Sequence, residues 1–152
     1  MFYRIPIFTQ NFAMSKNVTP YKGSDLGKKQ QVTEMFDKVS SNYDFLNRVL
    51  TFGIDISWRK KVVDLVQSGN AKKLLDIATG TGDLVIMMAQ KGIEEVLGLD
   101  ISPGMLDIVK QKVKDEGLEG TIDMVIGDSE NLPFEDGTFD AITVAFGVRN
   151  FE

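Results

Sequence analysis

The spacing of apolar residues changes character along the chain, and each change marks an element. From Gln30 onward, Val32, Met35, Phe36, Val39, Tyr43, Leu46 and Leu50 recur every three or four positions, the period of helices that bury one stripe. They form two short helices, or one interrupted near Ser40-Ser41-Asn42. Thr51-Phe52-Gly53 breaks the run. Trp58, Val62, Leu65 and Val66 mark the next helix, opened by Asp55 or Ser57 as N-cap and closed by Ser68-Gly69-Asn70. The pattern then becomes continuous. Leu74, Leu75 and Ile77 form a short apolar run suited to a strand covered on both faces of a parallel sheet. A helix starting near Asp83 carries Leu84, Met87 and Met88 on one face. A second strand, Glu95 to Asp100, leads into Ser102-Pro103-Gly104, a helix start with Ser as N-cap and Pro at the first helical position. Leu106, Val109 and Val113 are its buried stripe, and Gly117 to Gly120 closes the crossover. Thr121 to Ile126 is a third strand, with Ile122, Met124 and Ile126 sharing a face. Asp136-Gly137 is a turn, and Phe139 to Phe146 a fourth strand, apolar on both faces.

The order β-α-β-α-β-loop-β, preceded by helices, predicts an α/β fold with a doubly wound parallel sheet and right-handed crossovers. Residues 1–29 have little hydrophobic period and read as a mobile arm. Residues 30–70 read as helices covering the sheet and a substrate pocket, and residues 71–152 as the α/β domain itself. The aromatic cluster Phe36, Tyr43, Phe45 and Phe52 either packs the helices on the sheet or lines a pocket for an apolar, ring-containing substrate. The opening MFYRIPIFTQNFA lacks a secretory core and cleavage pattern, and its single Arg makes a weak transit peptide; Met14 is an alternative start.

Composition narrows the chemistry. The 152 residues, 43% hydrophobic and 26% charged, fit one globular domain with a real core. Seventeen basic against 22 acidic residues leave a formal charge of −5, a poor balance for tracking a phosphate backbone, so no nucleic-acid partner is expected. Cys and His are both absent. The expectation is therefore no disulfide and no metal, a cytoplasmic setting, and a base other than imidazole. No apolar run approaches the ~20 residues that span a bilayer.

The stretch richest in chemistry is KLLDIATGTGD, Lys73 to Asp83. A buried strand ends in Asp76 and Ile77, and a small-residue loop follows. Gly80 and Gly82 can take positive φ and admit a ligand close to the backbone, while Ala78, Thr79 and Thr81 keep the walls thin. Alone, a glycine pair after a strand is only a tight turn. Asp100, however, ends the next strand 20 residues after Gly80, where a carboxylate can accept both hydroxyls of an adenosine ribose. Asp76 either shapes the loop or is a strand-end acid satisfied by backbone N–H groups. A dinucleotide would want a third glycine where Val85 stands, and the charge of Asp83 at the helix start would repel phosphate. There is no G-K-[ST] ending either. An adenosine ligand without phosphate fits better, and S-adenosylmethionine is the common one. Ala78 to Asp83, Asp100, Asp128-Ser129 and Ala145 to Asn150 all fall at the carboxyl edge of the strands, where such sheets bind ligands.

LLDIATGTGDL, GLDISPGML, GDSENLPFEDGTFDAITVAFGVRN and, upstream, FDKVSSNYDFLNRVLTFGIDISWRKK resemble the ubiquinone/menaquinone biosynthesis C-methyltransferases from about Val32 to the last residue. The FG-x-RN and NYD-x-LN stretches carry more of that resemblance than the general glycine loop. The generic loop has three alternating glycines, and Ala78 stands for the first. The resemblance implies a class I S-adenosylmethionine-dependent methyltransferase fold, Rossmann-like, here as an N-terminal piece with about four strands. It implies a polyprenylated quinol as substrate and transient contact with a membrane surface through that lipid, peripheral at the inner membrane. It sets Thr81 against the methionine part of the cofactor, Asp100 on the ribose and Asp128 with Ser129 beside the adenine; Asp76 and Gly80 shape the loop, with Gly82 and Ile101 among the cofactor contacts. Some members have a Ser contact where this chain has Ala145. Tyr43, Asp44 and Arg149 are the catalytic candidates, along with Asp128 as a base by its position at the rim. Arg149 stays protonated and so suits a phenolate-stabilising cation. The family's seven-stranded sheet implies about three further strands, so the Phe139 to Phe146 strand is expected to be an apolar edge that self-associates. Other readings are a different small-molecule methyltransferase or a cofactor-binding piece without activity; a DNA methyltransferase is disfavoured because FGVRN replaces an Asn/Asp-Pro-Pro-aromatic motif.

Overall fold

The computed structural model describes residues 27, 30–31, 33–35 and 54–145. Its elements are α1 (Ile54–Ser68), β1 (Lys73–Ile77), α2 (Asp83–Gln90), β2 (Glu95–Asp100), α3 (Pro103–Asp115), β3 (Ile122–Ile126) and β4 (Ala141–Val144). Ahead of them, Gln30, Gln31 and Thr33 to Met35 are helical, as their period predicts, with Gln31 N–H donating to the Gly27 carbonyl at 3.1 Å. The expected arm, the aromatic cluster and the stretch after Ala145 lie outside the described residues, apart from those positions.

The four strands run parallel in the order β3-β2-β1-β4. That order reverses between β1 and β4. Asp76 stands level with Gly98 on one side and Thr143 on the other, and Asp100 level with Ile126. Strand alternation sends Leu74, Val96 and Ile122 to one face, where Val63, Leu84, Val85, Met88, Val109 and Val113 of the three helices close over them. The opposite face buries Leu75, Ile77 and Leu99 under Leu132, Phe134 and Phe139 of the loop between β3 and β4.

Four expectations need correction. The fourth strand begins at Ala141 and not Phe139, because the preceding residues are otherwise engaged. The Asp140 carboxylate accepts the Lys72 and Lys73 backbone N–H groups at 2.9 Å each, which hold its carboxyl below the usual range, and the Phe139 ring meets Phe134 edge-on at 5.1 Å. Nor is β4 covered on both faces: Ile142 is 59% and Val144 41% exposed. In α1 the packed stripe is turned by about one residue. Arg59, Val62, Val63 and Val66 face α2, whereas Trp58 and Leu65 are 58% and 69% exposed. Asp55 and Ser57, expected as N-caps, lie inside this helix.

The start of α3 follows expectation. Ser102 is the N-cap, its hydroxyl accepting Met105 N–H at 3.2 Å, and Pro103 occupies the first turn. Helix α2 starts differently, with Gly82 as its N-cap in the left-handed region (φ 77°) and no side-chain cap.

Gly82 is fixed by space as well as by angle: a Cβ there would stand 2.4 Å from Val109 Cγ1. Ala78 holds φ 54° with a Cβ in place. Gly82→Ala is expected to lower unfolding free energy by about 2–4 kcal/mol, combining left-handed strain with overpacking. Ala78→Gly is expected to raise it by about 1 kcal/mol. Urea unfolding of both variants checks this, and a neutral Gly82→Ala would contradict it.

Candidate functional site

Beyond Ile77 the chain turns back on itself in a loop held by few but specific bonds. Thr79 N–H donates to the Leu99 carbonyl at 3.0 Å, and Gly82 N–H to the Thr79 carbonyl at 3.1 Å. Gly80 N–H donates to Asp100 Oδ2 at 2.7 Å. The other oxygen of Asp100, Oδ1, accepts Ser102 N–H at 2.9 Å, and the Asp100 carbonyl accepts Gly127 N–H at 3.0 Å. One buried residue thus ties together the loop, the start of α3 and the end of β3. An ionised carboxylate offers about four lone-pair sites, all of them acceptors, so Asp100 presents only acceptor groups at this rim.

Asp128 follows β3 on the same rim. Its Oδ1 accepts Glu130 N–H at 3.0 Å and its carbonyl accepts Asn131 N–H at 3.0 Å, a turn that sets both Asp128 and the half-buried Ser129 beside the end of β2. Ile101, next to Asp100, is half-buried. Thr81 is buried in the loop. Gly80, Thr81, Gly82, Asp100, Ile101, Asp128 and Ser129 therefore lie along one rim, at the carboxyl ends of β1, β2 and β3, as the sequence predicts. Tyr43, Asp44 and Arg149 lie outside the described residues.

Asp76 is not satisfied by backbone N–H groups, one of its two readings. Its Oδ1 accepts the Thr143 hydroxyl at 2.6 Å, across from β4. Burial pushes its carboxyl up to about 6, against the Thr143 and Thr79 hydroxyls, which favour the anion; the charge of Asp100 adds to the rise and that of Arg59 opposes it. The Thr79 hydroxyl lies near Asp76 but outside hydrogen-bond geometry, and its buried Oγ1 has no partner among the described residues.

Asp83 also departs from expectation. Arg59 Nη1 reaches its Oδ2 at 2.7 Å and Lys112 Nζ its Oδ1 at 2.8 Å. Two cations therefore offset the charge that was expected to repel phosphate. What stands against a dinucleotide is the missing third glycine, since Val85 is fully buried in the core. Thr143, the buried unpartnered hydroxyl of Thr79 and the pairing of Asp83 with Arg59 and Lys112 escaped sequence reasoning. The available signals were a lone Thr within FDAITVAF, and cations at Arg59 and Lys112 bordering apolar stripes.

A family model described as the ubiE/COQ5 methyltransferase family matches residues 24–152. The demethylmenaquinone methyltransferase of Thermotoga maritima is 47% identical over 124 residues, 81% of this chain and 52% of that protein. That of Bacteroides fragilis is 43% identical over 143 residues, 93% and 58%. The ubiquinone/menaquinone biosynthesis C-methyltransferase UbiE of Geotalea daltonii is 44% identical over 125 residues, 81% and 53%. The chain spans about half the length of the curated relatives it matches. Among solved structures, a candidate S-adenosyl-L-methionine-dependent methyltransferase from Methanococcus maripaludis superposes with a TM-score of 0.60 at 26% identity, covering 85% of this chain and 56% of that one. The methyltransferase domain of bacterial CtHen1-C gives 0.53 at 25% identity, covering 62% and 51%.

A carboxyl raised above its unfolded value binds its proton more tightly in the folded state, so its contribution is complete below about pH 4 and is lost as pH rises through 6. Stability is expected to fall by on the order of 3 kcal/mol across that window from Asp76 alone. Asp76→Asn should flatten that part of the curve. Urea unfolding of both proteins at a series of pH values tests it, and parallel curves would contradict it.

Proposed function

The chain belongs to the ubiE/COQ5 methyltransferase family, and from that premise we propose that it binds S-adenosylmethionine and serves the C-methylation of a demethylmenaquinol or polyprenyl benzoquinol. The observation that carries this reading is the rim loop: thin-walled, tied by Gly80 N–H to Asp100, and placed where the strand order reverses. Its residues fit the cofactor. Asp100 presents a carboxylate at the rim, an acceptor for ribose hydroxyls, the buried Thr79 hydroxyl has no hydrogen-bond partner among the described residues, and the space beside Gly80 is open, with nothing within 4 Å of where a Cβ would stand. Thr81 lies against the methionine part, Asp128 and Ser129 beside the adenine, Gly82 and Ile101 complete the lining, and Asp76 supports the loop from beneath.

When bound, the sulfonium cofactor supplies an electrophilic methyl group and its own leaving group. The chain's residues then have to align donor and acceptor and exclude water. A quinol ring carbon becomes nucleophilic when a neighbouring hydroxyl loses its proton. Arg149 holds the resulting phenolate as a fixed cation, and Tyr43, Asp44 and Asp128 are the candidates to receive the proton. The apolar tail of such a substrate brings the protein into transient contact with a membrane surface. Among the described residues no helix is long and apolar enough to cross a membrane.

The edge strand β4, with Ile142 and Val144 exposed, is where we place self-association. Light scattering is expected to find oligomers that Ile142→Lys shifts towards monomer; a monodisperse unmutated monomer would contradict this.

Turnover of a short-chain demethylmenaquinol with methyl-labelled S-adenosylmethionine tests the function. Arg149→Ala is expected to abolish label transfer and leave cofactor affinity within about twofold. Cofactor binding without transfer by the unmutated chain would restrict it to the binding step, and cofactor affinity lost in Arg149→Ala would move that residue out of the substrate site.

A further inference from the structure

The glycines that let the loop approach a ligand also leave it free to turn away. Gly80 and Gly82 both sit at positive φ, and the peptide between Thr81 and Gly82 can rotate at small cost unless something outside the loop holds it. Helix α3 supplies that hold in two places, one turn apart. Val109 packs its methyls where a Gly82 Cβ would be. Three residues on, Lys112 Nζ donates to the Thr81 carbonyl at 3.1 Å and to Asp83 Oδ1 at 2.8 Å. Asp83 is the first residue of α2, and its Oδ2 accepts Arg59 Nη1 of α1 at 2.7 Å. One ammonium group therefore bridges the last peptide of the loop and the first residue of the helix that follows it.

We propose that Lys112 is a positioning residue for the cofactor loop, fixing the Thr81–Gly82 peptide before any ligand arrives, with Arg59 holding Asp83 in place to receive it. This rests on the reading of the rim as the S-adenosylmethionine site. Its effect is on preorganisation: a loop already held in its binding geometry does not lose freedom on binding, and affinity rises accordingly. Lys112 touches neither cofactor nor substrate in this account. Replacing it with Met keeps the apolar stem and removes the ammonium, while Arg59 still pairs with Asp83. Arg59→Met does the converse and leaves the bond to the Thr81 carbonyl intact.

Two readouts test this. In the unliganded chain, amide hydrogen exchange at Thr79 to Gly82 is expected to quicken in Lys112→Met while the amides of β1 stay protected. Titration with S-adenosylmethionine is expected to show Kd raised about tenfold in Lys112→Met. A smaller rise is expected in Arg59→Met, recovery in Lys112→Arg, and no change in Lys72→Gln, which removes an exposed charge paired with Glu94 and away from the loop. Loop exchange equal to that of the unmutated chain, or cofactor affinity unchanged in Lys112→Met, overturns the proposal. If Lys112→Met does not fold, Lys112→Gln is read in the same way. Failure of the unmutated chain to bind S-adenosylmethionine would instead overturn the cofactor reading, and loop exchange would still decide whether Lys112 holds the loop.

Discussion

Asp100 is the residue on which the geometry of the rim depends. A carboxylate at the end of β2 accepts Gly80 N–H from the loop after β1 and Ser102 N–H from the start of α3. Such charge-assisted bonds are about twice as strong as neutral ones, and the one to Ser102 is buried. The backbone of the same residue takes Gly127 N–H from the end of β3. Three separate stretches of chain are thereby brought to one rim by a single side chain and its own peptide. A ribose bound there would use oxygens already fixed in direction, at little further ordering cost.

Around that anchor the structure combines freedom and restraint. The loop needs residues at positive φ, and Ala78, Gly80 and Gly82 supply them, Ala78 with strain. The restraints come from elsewhere: Leu99 and Asp100 on β2 for the front of the loop, Val109 and Lys112 on α3 for its back. Asp76 and Thr143 form a second layer beneath, joining β1 to β4 where the strand order reverses. Asp76 sits in a cost that burial imposes on its anion, and a cation in the rim above would ease it.

Much of this was legible from residue order. Continuous apolar runs gave away β1 and β2, because strands covered on both faces need apolar residues at successive positions. Ser102-Pro103 and the stripe of Leu106, Val109 and Val113 marked α3 in the same way. The rim followed from topology once the strands were placed. What could not be read were partners remote in sequence. Thr143 looks like one polar residue in an apolar strand until register sets it beside Asp76, 67 positions earlier. Lys112 and Arg59 look like solvated charges until α1 and α3 both close on the start of α2. Trp58 and Leu65 fit a helical stripe in α1 as well as Val62, Val63 and Val66 do, and only the packing of α1 against α2 decides which is buried. The early start of β4 failed because Asp140, apolar pattern notwithstanding, binds the backbone of Lys72 and Lys73.

The central claim is that the rim tied by Asp100 is an S-adenosylmethionine site. Calorimetric titration of the chain with S-adenosylmethionine, repeated on Asp100→Ala, tests it most directly. The account predicts saturable binding by the unmutated chain and a loss of about a hundredfold or more in the variant, the scale of removing hydrogen bonds to a charged acceptor. Equal affinity in the two proteins would contradict it.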